Sequence, residues 1–186
     1  NRKGGQPLNL PNKITLGRVL LIPVFLIFYL TSIPNGQYIA GAIFIIASLS
    51  DFVDGHLARK HNLVTNFGKF IDPLADKLLV VSALICFVEN KQVAAWIVII
   101  IIAREFIISG LRLVAVTSGI VIAASSWGKL KTVSQMIMCI LLIFNFDNPI
   151  FALLEQIFIY LALILTVISL IDYMYKNMNV IEDGIK

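Results

Sequence analysis

The 186 residues are 59% hydrophobic and carry a formal net charge of +4. Soluble domains average about 45–50% apolar residues, so this composition excludes an ordinary soluble domain and points to one membrane domain over residues 1–186. So modest a charge gives no ground for a nucleic-acid partner.

Residues 1–7, NRKGGQP, are expected to be vector-derived or disordered and are set aside, with no cleavable signal peptide read in them. A membrane-spanning helix needs about 20 mostly apolar residues, and six stretches approach that. The first runs over Leu16–Ile33 and carries Pro23. The second runs over Tyr38–Leu57, the third over Phe70–Val88 and the fourth over Val93–Val114. The fifth runs over Leu130–Phe146 and the sixth over Ile150–Tyr173. Turn-forming residues mark most of the breaks, in TSIPNGQ, ENKQ and NFDNP. The segment Gly119–Ala124 is too short to span and is expected to be re-entrant or interfacial. Cys86 and Cys139 lie inside apolar runs without metal-ligand spacing, and read as packing residues. The fold class expected is an all-α integral membrane protein with six transmembrane helices.

The cations are distributed unevenly. Arg2, Lys3, Lys13 and Arg18 precede or open the first span. Arg59, Lys60, Lys69 and Lys77 surround the second connection, and Arg104, Arg112, Lys129 and Lys131 surround the fourth. Lys176 and Lys186 close the chain, which leaves only Lys91 for the opposite side. The positive-inside rule then puts both termini and the second and fourth connections on the cytoplasmic face of the cell membrane.

Against this background the second connection is costly. It contains Asp51, Asp54, Asp72 and Asp76, and a charge at the bilayer centre costs roughly 2.5–3.5 kcal/mol. These carboxylates must therefore face a wet cavity, pair with cations, or both. Asp51 and Asp54 share one helix face, as do Asp72 and Asp76. Convergent hard oxygens suit Mg²⁺, Mn²⁺ or Ca²⁺ rather than zinc, and four carboxylates give room for two ions. Two such ions form a common clamp for in-line attack on phosphorus. Gly55 and Gly68 allow close backbone approach, and Arg59 is a suitable fork for a phosphate. The competing reading is a buried ion network of these aspartates with Arg59, Lys69 and Lys77.

The pattern Asp51-x2-Asp54-Gly55-x2-Ala58-Arg59-x8-Gly68-x3-Asp72-x3-Asp76 resembles, without a departure, the signature of the CDP-alcohol phosphotransferases. The segments PNKITLGR (Pro11–Arg18), AREF (Ala103–Phe106), SGLR (Ser109–Arg112) and WGKLKT (Trp127–Thr132) are similar to the phosphatidylglycerophosphate-forming branch of bacteria. The resemblance implies a cytoplasm-facing polar cavity, two divalent cations (Mg²⁺ first, Mn²⁺ second) and a homodimer among membrane lipids. It implies transfer of a phosphatidyl group from CDP-diacylglycerol to glycerol 3-phosphate, with CMP released. By position, Asp51, Asp54, Asp72 and Asp76 would be metal ligands, and Asp76 also the general base. Asp51, Asp54, Gly55, Ala58, Arg59, Thr65, Gly68 and Asp72 would contact CDP-diacylglycerol.

An acceptor bearing a phosphate needs cations, and Arg104, Arg112, Lys129 and Lys131 are the candidates. The plainer reading makes them positive-inside anchors or anionic-lipid contacts. Asn12, Thr15 and Arg18, at spacing three, are candidates for a metal or phosphate contact or for simple anchoring. Within the family the acceptor could instead be inositol phosphate, serine or phosphatidylglycerol. A divalent-cation transporter is the reading from another class, weakened by the absence of inverted repeats. Hydrophobicity is all that is read in the sixth span.

Overall fold

A computed structural model describes residues 10–31, 33–61, 66–117, 122–123 and 125–178; for helical residues 10–15, 51–61, 66–76 and 117 the backbone alone is described. Among the described residues six α-helices occur: α1 Leu10–Leu30, α2 Gly36–His61, α3 Asn66–Glu89, α4 Ala95–Thr117, α5 Ser126–Phe144 and α6 Pro149–Lys176. No strand is present among the described residues. Each of the six apolar stretches falls largely within one helix, and three helices, α1, α3 and α5, begin at least four residues before the apolar run does. Hydropathy ends a segment at its first charges, whereas the backbone hydrogen-bond ladder continues through them. Of the shorter expected segment at Gly119–Ala124, only residues 122 and 123 are described, and they are not helical.

The chain divides into two compact units, Asn1–Ala83 and Leu84–Lys186, with the boundary inside α3. In the first unit α1 packs against α2. Phe25 and Phe44 are fully buried, with ring centroids 6.1 Å apart, and Tyr29 stacks on Phe25 at 5.5 Å. Ala40, Phe44 and Ala47 recur at helical spacing along the buried face of α2, where small residues admit a close neighbour. The turn depends on Asn35, left-handed at φ 59°, and on Gly36. A Cβ at Gly36 would lie 2.5 Å from the Phe28 carbonyl oxygen, so only glycine fits there.

In the second unit α6 packs against α5 and α4. The α5–α6 turn is capped on both sides. Asn145 ends α5 in the left-handed region, its N–H donating to the Leu141 carbonyl at 2.8 Å. Asn148 caps α6, its side-chain oxygen accepting from the Ile150 N–H at 2.9 Å, with Pro149 at the first helical position; proline loses nothing there because that N–H has no helical partner. At the α3–α4 turn, the Gln92 side-chain amide donates to the Leu142 carbonyl at 2.9 Å, tying the turn to the end of α5. Cys86 and Cys139 are free thiols in the buried core, as packing residues should be.

Outside the cores the helices are apolar. Leu20 on α1, Leu49 on α2, Ile85 on α3, Ile99 on α4, Val133 on α5 and Ile150 on α6 are all exposed. Large apolar side chains exposed on every helix suit lipid better than water as a solvent. Among the described residues two helices, α5 and α6, are long and apolar enough to cross a membrane; Leu16–Leu30 and Gly36–Ser50 are shorter apolar stretches.

Candidate functional site

The aspartates lie within helices rather than in a connecting loop. Asp51, Asp54, Gly55, Ala58 and Arg59 belong to the last turns of α2, and Gly68, Asp72 and Asp76 to the first turns of α3. A helical backbone puts Asp51 and Asp54, three apart, on one face, and Asp72 and Asp76, four apart, on another. Thr65 lies outside the described residues. The four aspartates fit hard divalent cations, since each offers carboxylate oxygens, which Mg²⁺ and Mn²⁺ prefer and zinc does not. Asn12, Thr15 and Arg18 all fall in α1. Arg18 is 2% exposed, unusual for a cation.

The expected acceptor cations form a second constellation, in the Leu84–Lys186 unit. Its centre is Glu105 on α4. One of its carboxylate oxygens, Oε1, receives the Arg104 guanidinium at 3.1 Å and also the Lys131 ammonium. Arg104 additionally donates from Nε to the Ser169 hydroxyl on α6, at 3.0 Å. Ser169 in turn donates to the Thr166 carbonyl at 3.0 Å. Arg104 and Lys131 are both buried, so α4, α5 and α6 are joined through polar atoms inside an apolar unit. Such a network is tolerable because each charge has a charged or hydrogen-bonded partner.

The sequence around Lys131 explains its orientation. Ser125 caps α5, its hydroxyl accepting from the Gly128 N–H at 3.1 Å. Gly128 leaves room for the guanidinium: a Cβ there would sit 3.2 Å from Arg104 Nη2. Lys131 points into the unit, whereas Lys129 is exposed, as residues two apart on a helix must diverge by about 200°. Arg112, two turns beyond Arg104 on α4, places its guanidinium over the Tyr173 ring, 5.7 Å from the centroid, a cation–π arrangement.

Of the four expected cations, then, Arg104 and Lys131 share a carboxylate, Arg112 rests on α6, and Lys129 stands outside. Ser169 and Tyr173 escaped the sequence reading. A signal for them existed: Thr166, Ser169, Asp172, Tyr173 and Lys176 recur at helical spacing in the second half of a mostly apolar helix, and polar residues inside membrane segments tend to be functional.

Comparison with known proteins bears on the whole chain. The family model described as CDP-alcohol phosphatidyltransferase matches residues 8–168. A Bacillus subtilis protein named CDP-diacylglycerol–glycerol-3-phosphate 3-phosphatidyltransferase is 47% identical, covering 94% of this chain and 97% of its own. A Haemophilus influenzae protein of the same name is 40% identical over 96% of this chain and 98% of its own. One from Rickettsia bellii is 37% identical over 89% and 93%.

Proposed function

The chain belongs to the CDP-alcohol phosphatidyltransferase family, and from that premise we propose that it transfers the phosphatidyl group of CDP-diacylglycerol to glycerol 3-phosphate. The products are phosphatidylglycerophosphate and CMP. The observation that carries the choice of acceptor is the buried Arg104–Glu105–Lys131 constellation. Two cations to one carboxylate leave a net positive charge, which a phosphate-bearing alcohol would balance. The name shared by the relatives agrees with it.

The proposed division of labour follows the residues. Asp51, Asp54, Asp72 and Asp76 would hold two divalent cations, Mg²⁺ before Mn²⁺. Bound there, such ions neutralise charge on the pyrophosphate and on the departing CMP. Gly55 and Gly68 admit the donor close to the backbone, Ala58 and Thr65 border the nucleotide, and Arg59 grips a phosphate. Asp76 accepts the proton of the acceptor's primary hydroxyl. The oxygen then attacks the phosphorus nearer diacylglycerol, and the bond to CMP breaks. Arg104, Lys131 and Arg112 hold the acceptor phosphate, with Lys129 at the entrance. Arg18, with Asn12 and Thr15 on the same helix, adds a phosphate or metal contact.

The reading includes one domain of six membrane spans, with the cytoplasmic side carrying the reaction, because all but one of the cations fall there by the positive-inside rule. CMP and glycerol 3-phosphate are water-soluble, so the site needs a polar cavity open to the cytoplasm. A homodimer among membrane lipids completes the proposal. The test is CMP release by purified protein with Mg²⁺ and CDP-diacylglycerol, using glycerol 3-phosphate, inositol phosphate, serine and phosphatidylglycerol in turn. Glycerol 3-phosphate should be the preferred acceptor; another preference would overturn the acceptor assignment.

A further inference from the structure

We propose that Tyr173 is a specificity-determining contact for the acceptor, its hydroxyl hydrogen-bonding the phosphate-bearing alcohol held by the neighbouring cations; this rests on the reading above. Tyr173 is 2% exposed, yet its hydroxyl has no hydrogen-bond partner among the described residues. Buried tyrosine hydroxyls usually find one, and phenylalanine would fill the same volume without stranding a polar group. A hydroxyl in this state is accounted for by a partner that comes and goes.

Its surroundings say what that partner is. Tyr173 lies one turn beyond Ser169, on the same face of α6, and Ser169 takes the hydrogen bond from buried Arg104. The Arg112 guanidinium covers the ring. A cation on the ring face draws electron density from the phenol and improves its hydroxyl as a donor to an anionic oxygen. The backbone carbonyl of Tyr173 accepts the Asn177 side-chain amide at 2.7 Å, which helps fix the residue at the end of α6. The adjacent Asp172 does not spoil the site for an anion, because Lys176 pairs with its Oδ1 at 2.6 Å. The unpartnered donor thus belongs to a ring that one arginine covers, one turn from the serine that binds the other.

The full-length protein in lipid nanodiscs provides the test, with Tyr173→Phe as the probe and Tyr175→Phe, at an 82% exposed position, as the control. CMP release is measured against glycerol 3-phosphate at saturating CDP-diacylglycerol, and the converse; thermal unfolding is followed in parallel. Tyr173→Phe is expected to raise KM for the acceptor about tenfold, as loss of one hydrogen bond to a charged group does. Its kcat and its KM for CDP-diacylglycerol stay near wild type, and Tyr175→Phe behaves as wild type throughout. The empty protein unfolds at the same temperature or higher, since the variant removes an unsatisfied group. An unmoved acceptor KM overturns the proposal. So does a parallel rise in both KM values with a lower unfolding temperature, which marks a merely structural tyrosine. A wild type that ignores glycerol 3-phosphate but uses another alcohol of the panel overturns the acceptor assignment alone, and the Tyr173 comparison is then read on that alcohol. A wild type that uses none of them overturns both.

Discussion

The ion cluster at Glu105 makes the most quantitative demand on stability. Glu105→Gln preserves the side chain's shape and removes its charge. Lys131, 2% exposed, then keeps its ammonium inside the unit without the carboxylate it now pairs with. Removing one member of a buried ion pair costs about 3–5 kcal/mol, because the other charge is left uncompensated. Glu105 is 19% exposed and the amide retains an acceptor oxygen, so the lower end, about 3 kcal/mol, is expected. Lys131→Met removes the stranded charge itself. The double variant should therefore be about 2 kcal/mol more stable than the sum of the single losses requires. Unfolding of each variant in mixed micelles, followed by tryptophan fluorescence, supplies the four corners of the cycle. Additive losses to within about 0.5 kcal/mol would show the two charges to be independent. A neutral Glu105→Gln would refute the claim that this carboxylate compensates a buried lysine.

Three further outcomes are expected. Asp76→Asn should lower kcat by about 10²–10⁴, the usual contribution of a general base, while CDP-diacylglycerol still binds, as competition with the substrate would report. Chelation of divalent cations should abolish CMP release, and Mg²⁺ should restore it more fully than Mn²⁺; activity that survives exhaustive chelation would remove the metal role of the four aspartates. Gly36→Ala should destabilise the protein by about 1–3 kcal/mol, as overpacking does, because the added methyl meets the Phe28 carbonyl oxygen at 2.5 Å. Equilibrium unfolding checks this, and an unchanged midpoint would mean the α1–α2 turn yields without cost.

The helices were legible because apolar runs long enough for a bilayer leave little alternative, and their capped turns carry asparagine, proline and glycine signals. The ends were less legible. α2 runs to His61 and α3 starts at Asn66, well inside what hydropathy reads as a polar connection. Orientation was the hardest to read. Nothing in WGKLKT states which lysine turns inward; that is settled by Ser125 fixing the first turn of α5 and by Gly128 making room for Arg104. Glu105 could be paired with Arg104 from adjacency alone, but its contact with Lys131 bridges two helices and has no local sequence signal. Ser169 and Tyr173 were hidden by the hydrophobicity of α6, since a single hydroxyl barely changes an average taken over a span.

The charge balance of the cluster links stability to binding. Arg104 and Lys131 set against Glu105 leave one positive charge in excess among buried groups, and the exposed Arg112 stands over the Tyr173 ring. An excess charge away from water is destabilising, so the empty site holds a cost that more hydrophobic residues would remove. A phosphate monoester brings the missing negative charge and relieves that cost on arrival. Glycerol 3-phosphate should therefore raise the unfolding temperature of the protein on its own, without CDP-diacylglycerol, by an amount that grows with its concentration. At a hundred times Kd the linkage is worth about 2.7 kcal/mol. Inorganic phosphate, with the charge but not the alcohol, should do so more weakly. Stabilisation equal to that of glycerol 3-phosphate would show that the cluster recognises charge alone, with no part of the alcohol read by its neighbours.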